Sequence, residues 1–132
     1  MFERRITIIK VTRPPQRNIN EELQWFGTSL GLFGSRDKEK SCFRVFLELL
    51  KSAKRRHILS SDELAVRTNL SRGTVVFHLH KLMDAGLIVP TPEGYILRVN
   101  NLQAVVEQLR KDINDSCLEL LKIAKEIDEE LR

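Results

Sequence analysis

The chain has 132 residues, 42% of them hydrophobic, enough for one domain with a sizeable core plus flanking elements. No stretch approaches the roughly eighteen apolar residues that span a bilayer. The charged start Met1-Phe2-Glu3-Arg4-Arg5 carries no signal-peptide apolar region either, so a cytoplasmic protein is expected. The net charge of +4 is uneven: residues 1–57 carry 13 Lys and Arg against 6 Asp and Glu, residues 58–100 carry 4 against 4, and residues 101–132 carry 5 against 8.

Arg5 to Thr12 reads R-I-T-I-I-K-V-T, a β-branched run stopped by Pro14-Pro15, which predicts a short strand. Asn20 then caps a predicted helix over Glu21 to Leu30, with Leu23, Phe26, Leu30 and Phe33 at helical spacing. Gly27, Gly31 and Gly34 oppose that helix, since an interior glycine costs about 1 kcal/mol relative to alanine. Trp25, Phe26 and Phe33 are read as packing residues, with a ligand pocket as the alternative.

Lys38 to His57 predicts a strong helix with two apolar stripes, one of Phe43, Phe46, Leu47 and Leu50, the other of Cys42, Val45 and Leu49. The polar remainder is a narrow line through Arg44, Glu48, Lys51 and Arg55, so burial on two sides is expected. Its basic end, Lys54-Arg55-Arg56-His57, suits the negative end of the helix dipole and is also placed to meet phosphate. Cys42 here and Cys117 far downstream both fall on predicted helices. Buried packing roles are expected for both, a redox switch being the alternative.

Ser60 and Glu63 have capping-box spacing and start a short helix that buries Leu64 and Ala65. Asn69 tolerates the left-handed backbone of a turn, and Ser71 caps a longer helix running toward Ala85. Val75, Leu79 and Leu82 share one face and are assigned to the core. The opposite face carries Arg72, Gly73, Val76, Phe77, His80 and Lys81. Gly86 closes the helix, Leu87-Ile88-Val89 reads as a strand, Pro90 to Gly94 as a turn, and Tyr95 to Val99 as a returning strand.

The stretch L-S-R-G-T-V-V-F-H-L-H-K-L-M-D-A-G-L-I, Leu70 to Ile88, resembles winged-helix transcriptional regulators of the ArsR and MarR-like kind, including small archaeal regulators. The resemblance implies a recognition helix over Ser71 to Ala85 that enters the major groove of double-stranded DNA. Its implied DNA-binding residues are Ser71, Arg72, Gly73, Thr74, Val76, Phe77, His80, Lys81, Arg98, Arg55 and Arg56. Arg72 is the candidate for guanine, Ser71 and Thr74 for phosphate, and Val76 or Phe77 for a thymine methyl. The paired cysteines of metal-sensing members are missing, so no metal site is expected. His78 and His80, two apart on a helix, do not share a face. The wing carries Glu93 and two prolines, leaving Thr91, Tyr95 and Arg98 for contacts there. Arg4, Arg5, Lys10, Arg13 and Arg17 form an alternative anchor.

Asn101 to Leu131 contains neither glycine nor proline and predicts one long helix. Leu102, Val106, Leu109, Ile113, Cys117, Leu120, Ala124, Ile127 and Leu131 form a stripe averaging about 3.6 residues per step, too long for one small domain to cover. Dimerisation through this stripe is expected. The acidic outer face points away from DNA.

The fold class expected is α+β, mainly α: a basic N-terminal extension (1–36) with a strand and a helix, a winged helix-turn-helix (37–100), and a C-terminal dimerisation helix (101–132). The function expected is sequence-specific transcriptional regulation by a homodimer in the cytoplasm, associated with the nucleoid. The alternatives are a protein-interaction winged helix and an architectural DNA-coating protein. The sequence has no metal-ligand spacing, glycine-rich phosphate loop or nucleophile-base signature, so neither catalysis nor a cofactor is expected. No effector can be read from it.

Overall fold

The computed structural model describes residues 5–13, 15, 18–33 and 40–132. Over these residues the chain is mainly helical, with a small two-stranded antiparallel sheet. The elements are α1 (Ile19–Ser29), α2 (Ser41–Lys54), α3 (Ser61–Thr68), α4 (Arg72–Asp84), β1 (Ile88–Thr91), β2 (Gly94–Leu97) and α5 (Leu102–Glu130).

The N-terminal stretch is not the strand its composition predicts. Arg5 to Arg13 has no regular secondary structure, and two backbone bonds tie it down: the Arg5 amide donates to the Asp84 carbonyl at 2.8 Å and the Ile9 amide to the Ser29 carbonyl at 2.7 Å. It lies against the ends of α4 and α1, which offer single carbonyls rather than the row of partners a strand needs. The first helix is capped by Asn18, not Asn20, through a 2.8 Å bond from the Glu21 amide. The second holds both apolar stripes but is shorter than the expected Lys38 to His57. Left-handed residues cut it at both ends, Lys40 (φ 54°) before it and Arg56 (φ 51°) after it, so Arg55 to His57 form an exit turn. Lys38, the expected start, lies outside the described residues.

The capping signals of α3 and α4 are realised as read. The Ser60 hydroxyl accepts from the Glu63 amide at 3.1 Å, and the Glu63 carboxylate accepts from the Ser60 amide at 3.3 Å. Asn69 turns the chain at φ 55°, and the Ser71 hydroxyl accepts from the Thr74 amide at 3.2 Å. The Ser60 amide, and beyond it the His57 ring at 3.4 Å, hold the Glu63 carboxyl below its ordinary value of 4.5. The folded pKa being the lower one, the box contributes fully above about pH 4.5, and its contribution is lost as pH falls through the folded value. Thermal unfolding followed against pH should show a loss below pH 4.5 that shrinks in Glu63→Gln. Identical acid profiles would remove the carboxylate from the cap.

The core is assembled on α2. Val45, Phe46 and Leu49 are buried against Leu64 of α3, Val75, Leu79 and Leu82 of α4, and Leu59, Leu87 and Val105. The aromatic N-terminal segment completes this core rather than lining an open pocket. Phe26 stacks on Phe46 at 6.2 Å, and Phe33 meets Phe43 edge-on at 5.6 Å. Gly27 is the seat for Phe33, because a Cβ there would lie 1.7 Å from the ring.

β1 and β2 pair from Ile88↔Leu97 to Thr91↔Gly94, leaving Pro92-Glu93 as a two-residue loop. The strands therefore sit closer to the turn than their apolar runs suggest, and Pro90 falls inside β1. The reason is local. Thr91 Oγ1 accepts from the Gly94 amide at 3.1 Å and closes the turn, while Leu59 and Tyr95 exchange backbone bonds at 2.8 and 3.1 Å, a rung outside the hairpin.

α5 is 29 residues, about 44 Å long. Its inward residues are Leu102, Val105 and Leu109, with Ile113 half-buried beyond them; Val106, expected on the stripe, is exposed, and Val105 is the buried one. Asn114 to Glu130 are all exposed. Cys42 is buried as expected, but Cys117 is exposed, on the stretch of α5 from Asn114 onward that none of the described residues buries. Among the described residues no helix is long and apolar enough to cross a membrane.

Candidate functional site

The first turn of α4 is the most distinctive surface of the domain. Ser71 caps it, so the free amides and the positive end of the helix dipole lie beside Arg72 and Gly73, an arrangement suited to an anion. Arg72 is 71% exposed and loosely paired, its Nε 3.5 Å from Asp62 Oδ1. The Ser71 hydroxyl donates to Thr74 Oγ1 at 2.9 Å, linking the two groups assigned to phosphate. Phe77, 66% exposed, and His80 continue the same face, while Val76 is half-buried. The core face behind them is Val75, His78, Leu79 and Leu82.

Gly73 is unusual in this setting. A Cβ built on it would meet nothing within 4 Å, so the fold has no steric need for glycine. Glycine in an exposed helical turn costs up to about 1 kcal/mol relative to alanine. The fold gives no return for that cost; a surface approaching from outside would.

Two of the assigned cations are committed within the chain. Lys81 Nζ donates to the Leu32 carbonyl at 2.8 Å and ties α4 to the N-terminal segment. Arg98 pairs with Asp112 at 2.8 Å and reaches Gln108 at 3.4 Å, fastening the hairpin to α5. Sequence reading did not find these roles because the partners are distant along the chain, one of them a backbone carbonyl.

Arg55 and Arg56 are exposed at the α2 exit. Arg55 shares an open cleft of about 380 Å³ with Lys51, His57 and Arg67, around the single carboxylate of Glu48. Glu48 lies 3.7 Å from Lys51 and 3.9 Å from Arg67, which leaves the cleft cationic on balance. Arg67 was not among the expected residues, although its place on the polar side of α3 signals it. Arg44 donates to the Thr68 carbonyl and closes the end of α3. Arg5, Lys10 and Arg13 of the alternative anchor are exposed, with Arg13 over the Trp25 ring at 5.8 Å; Arg4 and Arg17 lie outside the described residues.

Among the described residues, no group of three or more His, Cys, Asp or Glu is arranged to hold a metal ion. The expected dimerisation residues divide along α5. Leu102 and Leu109 pack on the domain, Ile113 is half-buried, and Val106, Cys117, Leu120, Ala124, Ile127 and Leu131 face solvent. No family model, curated protein or solved structure matches the chain.

Proposed function

We propose that the chain is a winged helix-turn-helix transcriptional regulator that binds double-stranded DNA as a homodimer, with α4 in the major groove. The observation that carries this reading is the uncovered first turn of α4. A capped helix start, an exposed guanidinium, a glycine the fold does not require and an exposed aromatic ring share one projecting surface. Arg72 suits a bidentate contact to guanine, and Phe77 with Val76 suits thymine methyls. The cleft of Lys51, Arg55, His57 and Arg67 adds phosphate attraction to that of the α4 start. The homodimer rests on the exposed apolar row of α5, where each large aliphatic side chain left in water forgoes roughly 1.5–3 kcal/mol of burial.

Selection of bound fragments from random duplex DNA tests the reading; enrichment of a two-fold symmetric sequence is expected. Arg72→Ala should then weaken binding to the selected sequence by about 1–3 kcal/mol and relax selectivity at one base pair. An equal loss on unrelated duplexes would restrict Arg72 to phosphate.

A protein-docking role for the same domain is favoured by one further observation, Val66 on α3 at 82% exposure beside an α4 that exposes Phe77. That reading expects no DNA binding even at low salt.

A further inference from the structure

The exposed part of α5 continues the face that is buried nearer its start. Leu102, Val105 and Leu109 are covered by the chain's own domain, and the same side of the helix then presents Cys117, Leu120, Ala124, Ile127 and Leu131 to solvent. From Ile113 onward these residues follow alternating steps of four and three, the repeat of a two-stranded coiled coil. Among the described residues, the outer segment open to a partner helix runs roughly 27 Å from Ile113 to Leu131 at 1.5 Å per residue.

We infer that this segment pairs with the same segment of a second copy in antiparallel orientation, placing the two domains at opposite ends of a short rod. The inference rests on the homodimer reading and adds its orientation and register. The flanking positions decide the orientation. Side by side in the same direction, Ile123 of one helix faces Asp128 of the other, an apolar group against a carboxylate. Parallel pairing also brings the two acidic tips, each carrying Glu126, Asp128, Glu129 and Glu130, to the same end of the rod. In opposite directions, Ile113 meets Leu131, Cys117 meets Ile127 and Leu120 meets Ala124. Leu121 and Ile123 then each lie against their own counterparts across the two-fold axis. Asp128 is left beside Asn114 and Glu130 beside Ser116, so no like-charge pair forms. The helix dipoles also oppose one another, and the negative C-terminal end of each approaches Arg110 and Lys111 of the other.

With Ile113 opposite Leu131, every stripe residue from Ile113 to Leu131 meets an apolar residue or Cys117 of the other copy, and the paired stretch lies beyond the buried Val105 and Leu109 of both helices. The small Ala124 opposite Leu120 lets the axes approach near the centre.

The test is disulfide mapping in the full-length chain. Ile127 is exposed, so Ile127→Cys leaves the fold intact, and Cys42 is buried out of reach. Sedimentation should give a dimer. Mild oxidation of the Ile127→Cys variant with oxidised glutathione should yield an interchain link between Cys117 of one copy and the introduced thiol of the other. The unsubstituted chain should not link through Cys117. A link between identical positions overturns the orientation and leaves the dimer standing. A dimer that gives no link overturns the register, and a monomer overturns both the arrangement and the dimer beneath it.

Discussion

Replacing Gly94 with alanine should cost about 3 kcal/mol and lower the melting temperature by roughly 10 °C. Gly94 opens β2 at φ 153°, in backbone space that side chains rarely enter. An added Cβ would lie 2.4 Å from the Leu59 carbonyl oxygen, 2.6 Å from its carbon and 2.8 Å from the Ser60 nitrogen. All three are backbone atoms, so no rotamer change relieves the clash. The hairpin must swing away, and the reciprocal Leu59 to Tyr95 bonds, each worth about 1 kcal/mol, are lost with it. Ser60 caps α3, so the displacement reaches the Glu63 box as well. Calorimetry of Gly94→Ala measures the loss directly. A melting point within two or three degrees of the parent chain would mean that the hairpin is not held by this rung.

Ending the chain after Ile113 should leave the domain folded, abolish the dimer and lower affinity for a two-half-site duplex by about 100-fold or more. Every residue removed from α5, Asn114 to Glu130, is exposed, so the core loses no buried side chain. The melting temperature should therefore stay nearly fixed once measured at a concentration where the parent chain is monomeric. Each truncated subunit must find its half-site alone, and the advantage of binding the second after the first disappears. Affinity for an isolated half-site should be unchanged. Light scattering and titration of both duplexes separate these effects, and a truncated chain that still dimerises would place the interface elsewhere.

The sequence was most legible where a residue acts on its immediate neighbours. Ser60 with Glu63, Asn69 and Ser71 each determine a few backbone angles or one local bond, and the α3 to α4 region follows them closely. It was least legible where a residue's partner is remote. Arg5 to Arg13 has strand-like composition, but the surfaces it meets are helix ends. Lys81 and Arg98 look like free cations until folding brings the Leu32 carbonyl and Asp112 to them. Val105 and Val106 are adjacent and identical, and only packing into the core decides which is buried. For the candidate site, Arg72, Gly73, Phe77 and His80 were readable as an outer helix face because Val75, Leu79 and Leu82 mark the inner one. The Arg67 side of the cationic cleft depends on α3 lying against α2, which no local pattern encodes.

The Arg98 to Asp112 pair has a mechanical consequence. Four residues separate Leu97 of β2 from Leu102 of α5, and the ion pair clamps that short connection from the side, with Arg98 only 17% exposed. The hairpin and α5 are thus held to one another as a single lever. In a dimer that reads two half-sites, such a lever fixes rotation as firmly as distance. One base pair inserted between half-sites turns the second by about 35° around the duplex axis, a rotation that the Arg98 to Asp112 clamp resists.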